Sequence, residues 1–210
     1  MTSKDIRDQE SDHLLTSKNS ALIIIDYQPE MLHGVESVNK AKLVNNIVGL
    51  TKVAKGFGIP VILSTVGVNI KANHPTIPEL TNVISDLEPF DRTTLNAWED
   101  AEFLDAVKNT GRKKLIICGL WTEVCLAFPA LDALKEGYDV YVPTDAVGGV
   151  TLEDHERAVQ RLVQAGAIPI TWIAIAAELQ RDWARKETAN TLREALQKHF
   201  TIIHRIPEQF

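Results

Sequence analysis

The sequence predicts an α/β domain, a three-layer, Rossmann-like arrangement of about six parallel strands doubly wound between helices. Three observations predict it. Short apolar runs alternate with longer segments of helical period, the pattern of repeated βαβ units. The runs are continuous, as in ALIII and KLIIC, which suits strands covered on both faces. The helical segments close near glycines that can take the left-handed conformation that ends a helix.

In chain order, strands are expected over residues 21–26, 60–65, 87–90, 114–118, 139–142 and 169–172. Helices are expected over 40–56, 101–110, 123–136 and 152–165, closing near Gly56 and Gly58, Gly111, Gly137 and Gly166. Residues 66–92 have little helical period and carry Asn69, Asn73, Pro75, Pro78 and Pro89. They read as loop, with one short helix from Pro78, and as a site wall. Beyond Ala174, helical patterns over 176–186 and 189–199 precede an extended TIIHRIP tail. The core domain is assigned to residues 20–177, after a polar segment 1–19 and before helices and a tail, 178–210. That last part exceeds what the sheet needs, so it is expected to pack on a neighbouring subunit.

Composition excludes several function classes. The 210 residues are 45% hydrophobic and 24% charged, enough for one substantial core. The net charge is −6, and no basic cluster exceeds the trio Arg112, Lys113 and Lys114. Neither nucleic acid nor an anionic membrane is an expected partner. The apolar runs are too short to span a bilayer, and the start MTSKDIRDQESD lacks a signal-peptide core, so a cytoplasmic location is expected. Cys118 and Cys125 fall on a strand and the following helix, so both are expected reduced.

The chemistry gathers at strand ends, where ligands bind in doubly wound sheets. The first strand ends at Asp26, the short third one leads into Arg92, the central one feeds Thr122 and Cys125, and the fifth ends at Asp145. Cys125 falls in the first turn of a helix, whose amides favour a thiolate; its pKa is expected to drop from about 8.5 toward roughly 3.5–7.5. A carboxylate beside such a thiol can take its proton, and a cation holds both charges. Each group also has a plainer reading. Buried cysteines are often inert, aspartates at strand ends cap turns, and an arginine in a polar loop is usually solvated. Phe90, Trp98, Trp121 and Phe128 are aromatic candidates for a pocket, with core packing the competing reading for all but Trp121.

These residues resemble the isochorismatase-like cysteine hydrolases, over about residues 20–177. An aliphatic-Asp-x-Gln strand end matches IIIDYQ, with Asp26 and Gln28. A basic residue before a small-aromatic pair matches Arg92 before Ala97 and Trp98. A Gly-x-x-Thr-x-x-Cys turn matches Gly119, Thr122 and Cys125, and a later Asp-Ala with a downstream Glu-x-x-His-like stretch matches Asp145, Ala146 and Glu153 to His155. The stretches RTTLNAWED, GLWTEVCLAFPAL and ELQRDW look most like the YcaC-like group.

The resemblance implies a hydrolase of a small-molecule C–N bond, working through a Cys125 thioester with Asp26 as base and Arg92 as electrostatic support. It implies oxyanion donors in the backbone of Trp121, Thr122 and Cys125, a cis Leu120–Trp121 bond, and a substrate pocket of Gln28, Phe90, Trp98 and Trp121. The family usually has Lys where this chain has Arg92; arginine keeps its proton, so only an electrostatic role is open to it. Nicotinamidases in the family hold a metal with an Asp-x-His plus His set. Here TVGVNIKANHPT offers only His74, and His13, His33, His155, His199 and His204 show no ligand spacing, so no metal and no cofactor are expected. Relatives in the YcaC-like group imply a homo-oligomer, a tetramer or an octamer. Two other functions stay open: vinyl ether hydrolysis without a cysteine nucleophile, and a silent or redox-sensing binding protein. No serine-hydrolase elbow, phosphate loop or dinucleotide fingerprint occurs.

Overall fold

The structure is a computed structural model, and it describes residues 7–199. The strands are β1 (Ser20–Ile25), β2 (Val61–Val66), β3 (Phe90–Arg92), β4 (Lys114–Gly119), β5 (Asp139–Pro143) and β6 (Ile168–Ile170). All pair in parallel, in the order β3-β2-β1-β4-β5-β6. Every residue of β1 and β4 is buried, as continuous apolar runs require of strands covered on both faces. The order reverses between β1 and β4, whose registers pair Ile25 with Gly119. The chain after these two strands therefore diverges over a crevice at their carboxyl ends.

The helices are α1 (Pro29–His33), α2 (Lys40–Gly56), α3 (Pro78–Thr81), α4 (Ala101–Asn109), α5 (Ala127–Lys135), α6 (Leu152–Gln164), α7 (Trp172–Gln180) and α8 (Lys186–His199). α2, α7 and α8 pack together on one face of the sheet, and α4, α5 and α6 lie on the other. Gly58, Gly111, Gly137 and Gly166 take positive φ just past α2, α4, α5 and α6, as the glycine spacing predicts.

Several expectations need correcting: the third strand forms over Phe90–Arg92 rather than 87–90, and the helix expected over 176–186 ends at Gln180. The expected helix 123–136 begins instead as a wide, π-helical turn, Thr122–Leu126, in which the Leu126 amide reaches back to the Trp121 carbonyl; α5 follows it. β6 stops at Ile170, because the Thr171 side chain caps α7 by accepting from the Ala174 amide, and Trp172 opens that helix. α1 was not expected; the signal available is Pro29 at the first helical position. Finally, α8 is not spare. It presses Ala189, Leu192, Ala195 and Leu196 into the core, and Thr191 and His199 sit against Gly56 and Gly49 of α2. The inner face of α8 is thus covered by its own chain. The N-terminal segment is also fastened: Leu15 is fully buried, and its amide donates to Glu178 at 2.7 Å. The TIIHRIP tail lies outside the described residues.

Candidate active site

Asp26 follows directly on β1, Arg92 ends β3, and Cys125 lies in the π-helical turn after β4. Parallel pairing brings all three to the carboxyl edge of the sheet. Arg92 reaches past β2 and donates from Nη2 to Asp26 Oδ2 at 2.6 Å, with both side chains wholly buried. Its Nη1 donates to the Thr94 carbonyl. Asp26 has a φ of +60°, a left-handed conformation that few non-glycine residues adopt and that tends to mark functional sites. Beside it, Asp91 is fixed by donors from Thr65 Oγ1, Val68 N and Asn69 N at 2.8–3.0 Å.

Cys125 is only 5% exposed, and its thiol lies close enough to the Asp26 carboxylate to feel its charge. The contact is not fully aligned, since Asp26 Oδ1 and Arg92 Nε are both left buried without a partner of full hydrogen-bond geometry. Burial raises the Asp26 carboxyl above its ordinary range, against the opposing pull of Arg92. Burial, and next the Asp26 charge, push the Cys125 thiol up to about 12. This reverses the expected thiolate. Arg92 and the Trp121 amide do favour the anion, but a buried sulfur beside a carboxylate feels the opposing effects more strongly. Alkylation of Cys125 by iodoacetamide should therefore rise about tenfold per pH unit from 7 to 10. A plateau below about 8.5, read by peptide mass spectrometry, would restore the preformed thiolate.

The turn that carries the thiol is held from several sides. The Leu120–Trp121 peptide is cis, as the resemblance implies. Leu120 donates to Ile25 O, and Thr122 N donates to Gly148 O at 3.0 Å. The Thr122 hydroxyl meets His155 Nδ1 at 2.9 Å. Glu123 Oε1 accepts from Val150 N. A Cβ on Gly149 would lie 2.3 Å from Glu123 Oε2, so a larger residue there would push the Glu123 carboxylate aside. The Trp121 indole donates to Met31 O at 2.8 Å and packs on Gly34, where a Cβ would come within 2.6 Å of the ring.

Residues 20–174 match the isochorismatase domain. Over 170 residues the chain is 42% identical to Probable hydrolase YcaC of Escherichia coli (strain K12), covering 80% of this chain and 81% of that protein. The chain belongs to the isochorismatase family. It is a hydrolase of that family, and its similarities place it in the YcaC group. The crystal structure of the Escherichia coli YcaC gene product, an octameric hydrolase of unknown specificity, superposes with a TM-score of 0.86 at 38% identity, covering 92% of this chain and 94% of that one. YcaC from Pseudomonas aeruginosa, solved with hexane-2,5-diol and covalent acrylamide, superposes with a TM-score of 0.85 at 34% identity, covering 92% and 95%.

Within this isochorismatase-family fold, the other expected site residues divide. Trp121 stays partly exposed beside the thiol turn. Thr122 does not fit as an oxyanion donor, because its amide is already engaged by Gly148. The Trp121 amide is directed at the sulfur instead. Gln28 is not free to line a pocket: its amide donates to Val66 O and His74 O and accepts from Val66 N, which ties the β2 end to the following loop. Trp98 is core. Its indole donates to Glu136 and it stacks edge-on against Phe103 and Tyr138. Glu136 lies past the far end of α5, on the order of 15 Å along the helix from Cys125 at 1.5 Å per residue. Phe90 is partly buried and packs on the core from β3. Asp145 follows the plainer reading, accepting from Trp172 N at the start of α7.

His74 turns to Glu30, and among the described residues no group of three His, Cys, Asp or Glu side chains is placed to hold a metal ion. These residues do not fit the metal of the family's nicotinamidases. A groove of about 780 Å³ beside α2 and α3, floored by Leu32, Val44, Val48 and Val83, is lined by none of Asp26, Arg92 and Cys125. No helix among the described residues is long and apolar enough to cross a membrane.

Two partners were not legible in the sequence. Tyr27 is fully buried and its hydroxyl donates to Ala146 O at 2.7 Å, fastening the β1 end to the β5 end. Asp91, by ordering residues 68 and 69, sets the loop beside the ion pair. Its only sequence signal is its place next to Arg92.

Proposed function

We propose that the protein cleaves the C–N bond of a small amide-like substrate, with Cys125 as nucleophile, Asp26 as proton carrier and Arg92 as fixed counter-charge. The observation that carries this reading is the convergence of a buried thiol, carboxylate and guanidinium at the point where the strand order reverses. The raised thiol favours a resting S–H beside an ionised Asp26. As sulfur bonds to the carbonyl carbon, the thiol proton passes to Asp26 and charge develops on the carbonyl oxygen. The amide of Cys125 is the donor proposed for it. Asp26 returns the proton to the departing nitrogen, the C–N bond breaks, and a thioester remains. Water gives a proton to Asp26 and its oxygen to the carbonyl carbon; the acid leaves and the thiol regains its proton. Arg92 moves no proton in any step.

The covalent acrylamide on the Pseudomonas aeruginosa relative supports a reactive nucleophile in this group. The raised thiol weighs against the redox-sensing reading, which needs an accessible, low-pKa cysteine. A screen of small amides, followed by Cys125→Ser and Cys125→Ala on any substrate found, tests the reading. Both variants should lose about a thousandfold or more in kcat/KM. Hydrolysis that survives both changes removes the nucleophile and leaves the vinyl ether reading in front. We also propose a homo-oligomer, since the Escherichia coli relative is octameric. Sedimentation as a monomer would end that part.

A further inference from the structure

The groove beside α2 and α3 joins an apolar floor to a charged end. Lys52 and His199 line it together with Val44, Val48 and Val83, and its volume of about 780 Å³ suits a small molecule. Hydrogen bonds fix the charged end. Lys52 Nζ meets His199 Nε2 at 2.9 Å, and His199 Nδ1 meets Asn45 Oδ1 at 2.9 Å. An ammonium can only donate, so Nε2 is the accepting nitrogen and Nδ1–H donates to Asn45. The Asn45 amide donates to the His199 carbonyl, and Trp172 stands edge-on to the imidazole. Lys52 therefore spends one of its three N–H groups on a neutral, immobilised ring. The other two meet no acceptor among the described residues.

No carboxylate answers this charge. Among the described residues Lys52 makes no ion pair, and the neighbouring charge that acts on it, Lys198, is also positive. Burial, and next Lys198, pull the Lys52 ammonium below its ordinary value, as expected of a cation held without compensation. Glu79 lines the groove from α3 and disfavours an anion on that wall. Val44, Val48 and Lys52 follow one another at four-residue steps of α2, so they form a single row along the helix, about 12 Å long at 1.5 Å per residue. We infer that this groove binds a small amphipathic anion, an apolar chain ending in a carboxylate, with the chain laid along Val44 and Val48 and the carboxylate on Lys52. Charge complementarity decides the class: a neutral head leaves Lys52 unanswered, and a cationic head faces two lysines.

Octanoate, octanol and octylammonium carry one chain and three heads. Their binding to the full-length protein is to be measured by isothermal titration calorimetry at low salt. Octanoate should saturate one site per chain with a Kd on the order of 0.1 mM and bind at least about tenfold tighter than octanol, with octylammonium weakest. Lys52→Gln should remove that advantage and leave octanol binding unchanged, Lys52→Arg should keep it, and Val44→Glu, on the partly exposed floor, should abolish binding of both while thermal melts confirm folding. Octanoate bound no tighter than octanol, or an octanoate site that survives Lys52→Gln or Val44→Glu, overturns the inference. Absence of saturable binding overturns it too. Recovery of binding on removing residues 201–210, or on dissociating an oligomer, then names the chain's own end or a second copy as the occupant.

Discussion

Asp26→Asn should slow amide hydrolysis by about a thousandfold while making Cys125 easier to alkylate at neutral pH. The two readouts move in opposite directions for one reason. Asp26 is both the proton carrier of the proposed reaction and, after burial, the strongest influence holding the thiol up at about 12. Asparagine keeps the shape but neither takes nor returns a proton, so attack and departure of the amine both lose their relay. With the carboxylate gone, Arg92 is unmatched beside the sulfur and favours the thiolate, so the thiol pKa falls and iodoacetamide reacts faster at pH 7. A merely structural Asp26 would move both rates the same way. The variant also leaves a buried guanidinium unpaired, so a stability loss of about 3 kcal/mol should accompany it, and denaturant melts are needed to show that the protein assayed is folded.

Arg92→Met carries the largest expected effect on stability, about 3–5 kcal/mol at neutral pH, or a fall in Tm on the order of 10 °C. Methionine fills part of the space but leaves the wholly buried Asp26 without its cation. Burial already raises this carboxyl above its ordinary value of 3.8, and without Arg92 it rises further. A carboxyl raised in the folded state takes up its proton more readily there than in the unfolded chain. Its contribution is therefore fully present below 3.8 and is lost as pH rises through the folded value. The deficit of the variant should be smallest in acid and grow toward neutral pH, which urea melts from pH 4 to 8 will read. Arg92→Lys, restoring the usual residue of the family, should recover most of the stability, since a point cation still matches Asp26. A pH-independent deficit would mean that packing, not charge, is what Arg92 supplies.

The readable parts of this protein share one property: they depend on residues close in sequence. ALIII and KLIIC name β1 and β4 because a strand covered on both faces must be apolar throughout. Glycines at 58, 111, 137 and 166 mark helix ends because each takes a positive φ. Placing Asp26, Arg92 and Cys125 near one another needed only the parallel-sheet rule that sites form at strand carboxyl ends. Errors arose wherever the answer lay in a distant partner. Trp98 sits six residues after Arg92 in a stretch that resembles the family, yet its side chain turns to Glu136 and Tyr138. Gln28 follows Asp26 by two, but Val66 and His74 take up its amide. The amphipathic α8 showed that it needed a partner; that the partner is α2 of the same chain rests on a contact made more than a hundred residues away.

By itself, then, the sequence determined the order of strands and helices, the identity of the polar groups at the strand ends and the family to which they belong, because apolar period, turn chemistry and motif spacing are local. Only the tertiary structure decided the state of those groups. A thiol pKa depends on how completely the sulfur is buried and how near a carboxylate comes, and both follow from packing between elements far apart in the chain. Seen along the sequence, Cys125 is a helix-start cysteine favoured as an anion; in the fold, burial and the nearby Asp26 charge push its thiol up to about 12.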